Sequence, residues 1–345
     1  MRILVITDLY PICESEKFTP KTIKNFVDGW KNLGHEVRVI KPNFLLNSFL
    51  RHKPFYKSGT YNEVENLNYL LPFLGKIEPK TLRIFEPDII IAHMPSGVIY
   101  ANKLNKPFIP AVHVSDLEVL INPIYSIYFK QELEKAYKNA PLIACRSEVL
   151  KKKFLKLYPM YEEKTFVCYS GVNFEPTKRQ WQPRQKVRVL CCANLKKRKN
   201  VDKVIKECEN IDVELRIIGD GKEFENLKKL SSKPKFLGYL PNEKVLEEMH
   251  EADIFALPSE NETFGMVYLE AMACGCITIC SENDGIAGII QNGQNGFFWE
   301  DGIISKIINS SNQDEILNKT YSTVCNYTNK RACEHYLEEI SRSSI

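Results

Sequence analysis

Leu257-Pro258-Ser259-Glu260-Asn261-Glu262-Thr263-Phe264-Gly265-Met266-Val267-Tyr268-Leu269-Glu270-Ala271-Met272-Ala273-Cys274-Gly275 is the stretch on which the reading of this chain turns. An apolar strand, Asp253 to Leu257, ends at Pro258-Ser259. A helix rich in Met, Val, Leu and Ala is expected to start near Phe264 and stop at Gly275. A helix N-terminus presents unpaired N–H groups and the positive end of a dipole, so the junction suits an anion such as a phosphate. Two carboxylates flank it, Glu262 and Glu270, eight positions apart. At ~1.5 Å rise per residue those eight positions span ~12 Å. That is about the reach from the sugar to the ribose of a nucleotide sugar laid over its diphosphate. Glu262 would accept hydrogen bonds from sugar hydroxyls, and Glu270 from the ribose hydroxyl pair.

The segment resembles the Glu-x7-Glu signature of retaining GT-B glycosyltransferases of the family 4-like type. That group includes bacterial capsule, lipopolysaccharide and phosphatidylinositol-mannoside enzymes. A bare pair of glutamates at this spacing is more often an ordinary strand-turn-helix. Here Pro258-Ser259 precede the pair, and Gly265, Ala271-Met272-Ala273 and Gly275 lie within or after it. The resemblance implies that Glu262 acts on the reacting sugar. It implies that Ser259, Thr263, Phe264, Gly265, Met266, Val267 and Glu270 line the donor.

Length and composition agree with such an enzyme. At 345 residues the chain exceeds the size at which one core keeps growing, so two domains are expected. Apolar residues at 44% and charged residues at 26% are ordinary globular material. No run approaches the ~18 apolar residues of a spanning helix. Met1 leads directly into the strand Arg2–Ile6, so no signal peptide is expected ahead of it. The 11 cysteines form no CxxC pair and many sit in apolar contexts, which favours reduced thiols in a cytoplasmic protein over a zinc site or disulfides. Nucleic acid is not an expected partner.

Short apolar strands alternate with helical stretches along the chain, the pattern of parallel sheets with crossover helices. Strands are expected at Ile3–Ile6, Glu36–Ile40, Pro87–His93, Pro107–His113, Leu142–Ser147 and Thr165–Tyr169, with a helix at about Pro20–Leu33 closed by Gly34. After a linker at 176–185 the pattern restarts with Val187–Cys192. The resemblance makes this an α/β protein of the GT-B class, two Rossmann-like domains facing each other across a cleft. The expected division is an acceptor domain over 1–175 and a nucleotide-sugar domain over 186–325. A terminal helix within 326–345 is expected to cross back to the first. Ligands of such sheets collect at the carboxyl ends of the strands.

Other site residues come from the same resemblance. Ala193-Asn194-Leu195-Lys196-Lys197-Arg198-Lys199 looks like the family's phosphate-binding segment, with Lys199 at the diphosphate-binding lysine and Asn194 where an arginine is common. Arg198 could compensate, and two cations beside a leaving diphosphate meet the main electrostatic need of transfer without a metal. Gly219 and Gly221, after the strand Val213–Ile218, are expected to let the backbone approach the donor. Tyr239 and Leu240 end the strand Lys235–Leu240, whose main chain would pair with the nucleobase. In the first half, His113-Val114-Ser115-Asp116 resembles a His-Gly-x-Asp element. It implies His113 at the reacting sugar and Asp116 as a base on the acceptor side. His93 reads as structural, and Ser147 matches a position with no assigned role. The Gly-Gly loop of many relatives is replaced by Cys13–Pro20, leaving Lys17, Phe18 and Thr19 as expected acceptor contacts.

The resemblance further implies a metal-independent, configuration-retaining reaction with no cofactor, the donor most often a UDP-sugar, and an acceptor that is a glycan or lipid-linked saccharide. A sugar-nucleotide epimerase of the same fold and a non-catalytic carbohydrate-binding protein at a membrane surface remain the alternatives. Residues 1–173 carry 24 Lys and Arg against 17 Asp and Glu, a net +7, and residues 174–345 carry 23 against 26, a net −3. Phe44–Leu50 runs into the basic Arg51–Lys57, and Lys151–Lys156 adds a second basic stretch. This points to an anionic membrane surface as a partner of the first domain, at the inner face of a bacterial membrane.

Overall fold

A computed structural model describes residues 1–13, 19, 21–44, 56–69, 79–122, 127–182 and 185–342. Lys17, Phe18 and most of the apolar-then-basic run, residues 45–55, lie outside them. The chain divides into two compact units. Residues 1–146, 150–169 and the tail from Ala332 form the first, and residues 147–149 and 170–331 the second.

The first unit is built on β1 (Arg2–Ile6), β2 (Glu36–Phe44), β3 (Gly59–Tyr61), β4 (Val64–Tyr69), β5 (Ile89–His93), β6 (Ile109–Val112), β7 (Ile143–Cys145) and β8 (Thr165–Val167), in spatial order β3-β4-β2-β1-β5-β6-β7-β8. Successive side chains of a strand point to opposite faces, and here both faces are covered. Leu4, Ile6, Ile90 and Ala92 therefore join one core, and Ile3, Val5, Val39 and Ile91 the other. The helix Asn329–Arg342 contributes Ala332, Cys333, Tyr336, Leu337 and Ile340 to the second of these cores, spaced as one helical face. Trp30 donates its Nε1–H to the Cys333 carbonyl at 3.2 Å, and its ring meets Tyr336 edge-on at 5.5 Å. One edge departs from the all-parallel expectation. β3 pairs antiparallel with β4 through Asn62 and Glu63, both at positive φ, the backbone of a two-residue hairpin turn.

The second unit holds β9 (Val187–Cys192), β10 (Val213–Ile218), β11 (Lys235–Gly238), β12 (Ile254–Leu257), β13 (Ile277–Cys280) and β14 (Phe297–Phe298), ordered β11-β10-β9-β12-β13-β14, all pairs parallel. β11 stops two residues short of the expected Leu240, because Gly238 takes φ +67° and turns the chain out of the sheet. The unit is entered and left at one crossing. Val172 N–H donates to Tyr327 and Asn329 N–H to Val172, and a Cβ on Gly171 would lie 2.2 Å from Thr328 backbone. Among the described residues no helix is long and apolar enough to cross a membrane.

Candidate functional site

Strand β12 is fully buried, and at its carboxyl end the chain runs through residues 258–265 into the helix Met266–Ala273. The helix starts two residues after the expected Phe264 because Gly265 caps it at φ +86°. A Cβ at Gly265 would sit 2.6 Å from the Tyr268 ring. The far end closes with Cys276 N–H on Ala271 O and Gly275 N–H on Met272 O, both 3.0 Å, with Gly275 left-handed at φ +80°.

The loop brings together four of the residues singled out in the sequence. Glu262 Oε1 accepts from Lys199 Nζ, from Arg198 NH1 at 2.6 Å and from Ser259 Oγ at 2.8 Å. Lys199 is 8% exposed and Ser259 0%. Burial alone would raise the Glu262 carboxyl, but Lys199 and then Arg198 outweigh it and hold the group below its ordinary value. It is therefore ionised at neutral pH, and two cations converge on one oxygen.

The cations sit on a short 3-10 turn, Lys197–Lys199, after β9, where pairing of β9 with β12 sets the two strand ends side by side. Asn200, left-handed at φ +50°, stitches this turn to the loop by donating Nδ2–H to Pro258 O at 2.8 Å and Glu260 Oε1 at 3.0 Å. Arg198 O accepts from Glu260 N–H at 2.9 Å, and Arg198 NH1 donates back to Glu260 O at 2.8 Å. From below, Asp284 accepts the Glu262 N–H at 2.7 Å and the Tyr268 hydroxyl at 3.1 Å. Asn200, Tyr268 and Asp284 were not singled out in the sequence. An Asn just ahead of a helix and an Asp-Gly pair after a strand were the available signals.

Glu270 lies in the same helix, one turn beyond Met266, and burial pushes its carboxyl up to about 7. Met266, Val267 and Thr263 are half-buried, Phe264 is buried, and Ser147 Oγ donates to Thr263 O at 3.0 Å. Asn194 is exposed, Tyr239 is 49% exposed and Leu240 half-buried. Gly219 and Gly221 have a reason within the fold itself. Their φ values are +126° and +154°, and a Cβ would fall 1.8 Å from Ala193 O and 2.5 Å from Leu195 O. They let the turn after β10 close onto the cation-bearing segment.

In the first unit the strand-end residues carry a different chemistry. His113 Nε2 lies 3.2 Å from His93 Nδ1, a single hydrogen bond that two neutral imidazoles share. Burial, and then the Arg146 charge, drive His113 down to about 3, and burial lowers His93 as well. Asp116, expected as an acceptor-side base, sits in the fold as a buried acceptor. It is 0% exposed, one oxygen accepts the His113 N–H at 3.0 Å, and the other accepts the Tyr137 hydroxyl at 2.8 Å. The first of those bonds caps the helix Val114–Ile121, and burial raises the carboxyl to about 7. Thr19 is half-buried. Among the described residues no three His, Cys, Asp or Glu side chains gather as a metal site.

Comparison with known proteins follows the same division. The family described as Glycosyltransferase Family 4 matches residues 20–176, and Glycosyl transferases group 1 matches residues 173–326. An uncharacterized glycosyltransferase of Methanocaldococcus jannaschii is 28% identical over 285 residues, covering 76% of this chain and 79% of its own. The amylovoran biosynthesis glycosyltransferase AmsK of Erwinia amylovora is 26% identical over 373 residues, covering 88% of each. Among solved structures, Anabaena Alr3699/HepE in complex with UDP and glucose superposes with a TM-score of 0.69 at 18% identity, over 99% of this chain and 100% of that one.

Proposed function

The chain belongs to the GT-B glycosyltransferases of the family 4-like type, and we propose that it moves a sugar from a UDP-sugar to a saccharide or lipid-linked saccharide with retention of anomeric configuration and no metal. The observation that carries this reading is the convergence of Lys199, Arg198 and Ser259 on Glu262. A diphosphate brings charge and acceptor oxygens that match the two cations better than one carboxylate oxygen does. On donor binding Lys199 and Arg198 pass to the diphosphate, and Glu262 is released to accept from the sugar hydroxyls. Glu270, on the flank of the same helix, takes the ribose hydroxyls.

In the transfer step the bond from the anomeric carbon to the phosphate oxygen breaks. The acceptor oxygen forms its bond on the same face, and the departing phosphate takes the acceptor proton. Lys199 and Arg198 bear the charge that builds on the leaving group, in a site where Lys199 is nearly dry. The neutral pair His93–His113 supplies hydrogen bonds and no charge, and Asp116 orients the His113 main chain. The Anabaena neighbour, solved with UDP and glucose, supports UDP as the base-bearing part, and the amylovoran relative supports a polysaccharide product. Release of nucleoside diphosphate from a panel of nucleotide sugars, with and without chelator, tests the donor. Release from a UDP-sugar unchanged by chelator is expected; absence of release from every donor tried sinks the reading. The anomeric configuration of the product, read by NMR, tests retention.

The excess of positive charge in residues 1–173 supports an anionic membrane as the place where the acceptor is met. In the helix Glu148–Leu157, Lys152, Lys153 and Lys156 are exposed, with Leu157 beside them 40% exposed. Sedimentation with anionic vesicles should recover the protein at low salt and release it at high salt. Equal recovery from neutral and anionic vesicles counts against it.

A further inference from the structure

Asp284 follows β13 and is 1% exposed. Its hydrogen-bond partners are two amides and a phenol, with no cation among them: Oδ1 accepts Glu262 N–H at 2.7 Å and Gly285 N–H at 2.9 Å, and Oδ2 accepts Tyr268 O–H at 3.1 Å. A carboxylate buried without a cation is costly, and it sits beside a second carboxylate, Glu262. Burial first, and then that neighbour, push Asp284 up to about 6. A group held at such cost is expected to do something a neutral turn residue would not.

Its geometry shows what that is. An ionised carboxylate is an acceptor at every lone pair, so it can take both amides and the phenol without having to place a proton of its own. The single Tyr268 hydroxyl proton is shared between Asp284 Oδ2 and Leu257 O, the last residue of β12, which lies at 2.8 Å. Asp284 thus holds the main chain at Glu262 and the first turn of the helix Met266–Ala273 directly, and the end of β12 through the Tyr268 hydroxyl. The adjoining turn fits as closely. A Cβ on Gly285 would lie 2.7 Å from the Phe264 main chain, so the segment 284–285 forms the bed under residues 262–264. Among the described residues the Asp284 and Tyr268 side chains make no hydrogen bond to Glu270, Lys199 or Arg198.

We propose that Asp284 is a positioning residue for sugar transfer: by holding the Glu262 amide it sets where the Glu262 carboxylate stands against Lys199 and Arg198, and thereby controls turnover and not affinity for the nucleotide. This rests on the donor-site reading given above. The test compares wild type, Asp284→Ala, Asp284→Asn and Tyr268→Phe in three measurements: UDP binding by calorimetry, diphosphate release from a panel of nucleotide sugars, and hydrogen exchange at the Glu262 amide. Asp284→Ala is expected to keep UDP affinity within about threefold, to lower kcat at least thirtyfold, and to speed exchange at Glu262. Asp284→Asn keeps one carbonyl acceptor for that amide and should recover most of the loss. Tyr268→Phe, which leaves the carboxylate in place, should lower kcat several-fold, and serves where the alanine variant does not fold. Wild-type kcat in Asp284→Ala, a parallel collapse of UDP affinity, or no rescue by asparagine overturns the proposal. Should wild type release diphosphate from no donor, the donor reading falls by itself. Exchange at Glu262 then decides alone, and unchanged protection in Asp284→Ala overturns the clamp.

Discussion

The carboxyl ends of β12 and β6 are assembled from the same parts, a buried parallel strand, a turn and a helix N-terminus with an acidic residue close by, and they reach opposite electrostatic states. After β12, Glu262 meets Lys199 and Arg198 and is held ionised. After β6, Asp116 meets an amide and a phenol; burial raises it to about 7, while its histidine neighbour is driven down to about 3. The difference lies in what the neighbouring strand delivers. β9 leads into a turn with two cations that reach across to the loop, whereas β5 leads into His93, itself neutral. A strand end in an open sheet is a place for a ligand; the adjoining loop decides whether that ligand is an anion.

The largest effect should come from dismantling the charged end. Lys199→Ala removes the buried cation and leaves Glu262 with the more exposed Arg198 alone. A preorganised donor lost at a leaving group costs roughly 10²–10³ in kcat. The same change should weaken UDP binding, and Arg198→Ala, on a side chain 41% exposed, should cost no more than about fivefold. Steady-state kinetics in which Lys199→Ala keeps more than a third of wild-type turnover would mean that the pair with Glu262 is a resting ion pair and nothing more.

The neutral end should respond in stability and not in donor chemistry. Asp116→Ala leaves the half-buried His113 amide and the buried Tyr137 hydroxyl without their acceptor, a loss of about 2–4 kcal/mol. Urea denaturation measures it. UDP affinity should be unchanged, since Asp116 belongs to the first unit and the cations to the second. A variant of wild-type stability with abolished transfer would return Asp116 to the role of acceptor-side base.

How much of this was written in the sequence follows the same contrast. The β12 loop was legible because Gly265, Gly275 and the two glutamates occupy positions whose geometry leaves little choice: Gly265 and Gly275 are left-handed, and Glu262 sits where the strand ends. Lys199 was legible as a cation after a strand. The edge hairpin of β3 and β4 was not, because Asn62-Glu63 makes its tight turn without a glycine. Asp116 was read as a base because a capping carboxylate and a catalytic one look alike in sequence; its bond from the Tyr137 hydroxyl, 21 residues away, becomes visible only in the fold. Asp284 offered only its Asp-Gly turn as a signal, since its partners at Glu262 and Tyr268 lie 22 and 16 residues earlier.

A smaller effect separates the two glutamates of the same loop and helix. Glu270 is raised from its ordinary 4.5 to about 7, so the folded chain keeps its proton where the unfolded chain has lost it. Between about pH 4.5 and 7 that ionisation favours unfolding. Glu270→Gln should therefore gain on wild type as pH rises through the window, then hold constant. Glu262 is lowered, so its contribution is present above 4.5 and lost as pH falls through the folded value. Glu262→Gln should therefore lose on wild type as pH rises above the folded value, with the full deficit established above about 4.5. Thermal denaturation of both variants from acid pH well below the ordinary 4.5 up to neutral pH reads the two slopes. Slopes of one sign would erase the distinction between a paired and a merely buried carboxylate.

The smallest expected effect tests whether the charged end is complete. Asn194 is exposed on the segment that leads from β9 to the cation turn, at the position where the family resemblance implies an arginine. Asn194→Arg adds a third cation near Lys199 without displacing a buried group, so the fold should tolerate it. An exposed charge pair contributes about 0.2–1 kcal/mol, so UDP affinity should rise by no more than about fivefold. Because the new charge is solvated, salt should remove most of the gain, whereas the contribution of buried Lys199 should persist. Calorimetry with UDP at low and high salt decides between two designs. A gain that vanishes with salt means Arg198 and Lys199 leave room for a further contact with the diphosphate. No gain at low salt means that these two cations already satisfy the oxygens within reach of the loop, and that asparagine at 194 completes the site by staying out of it.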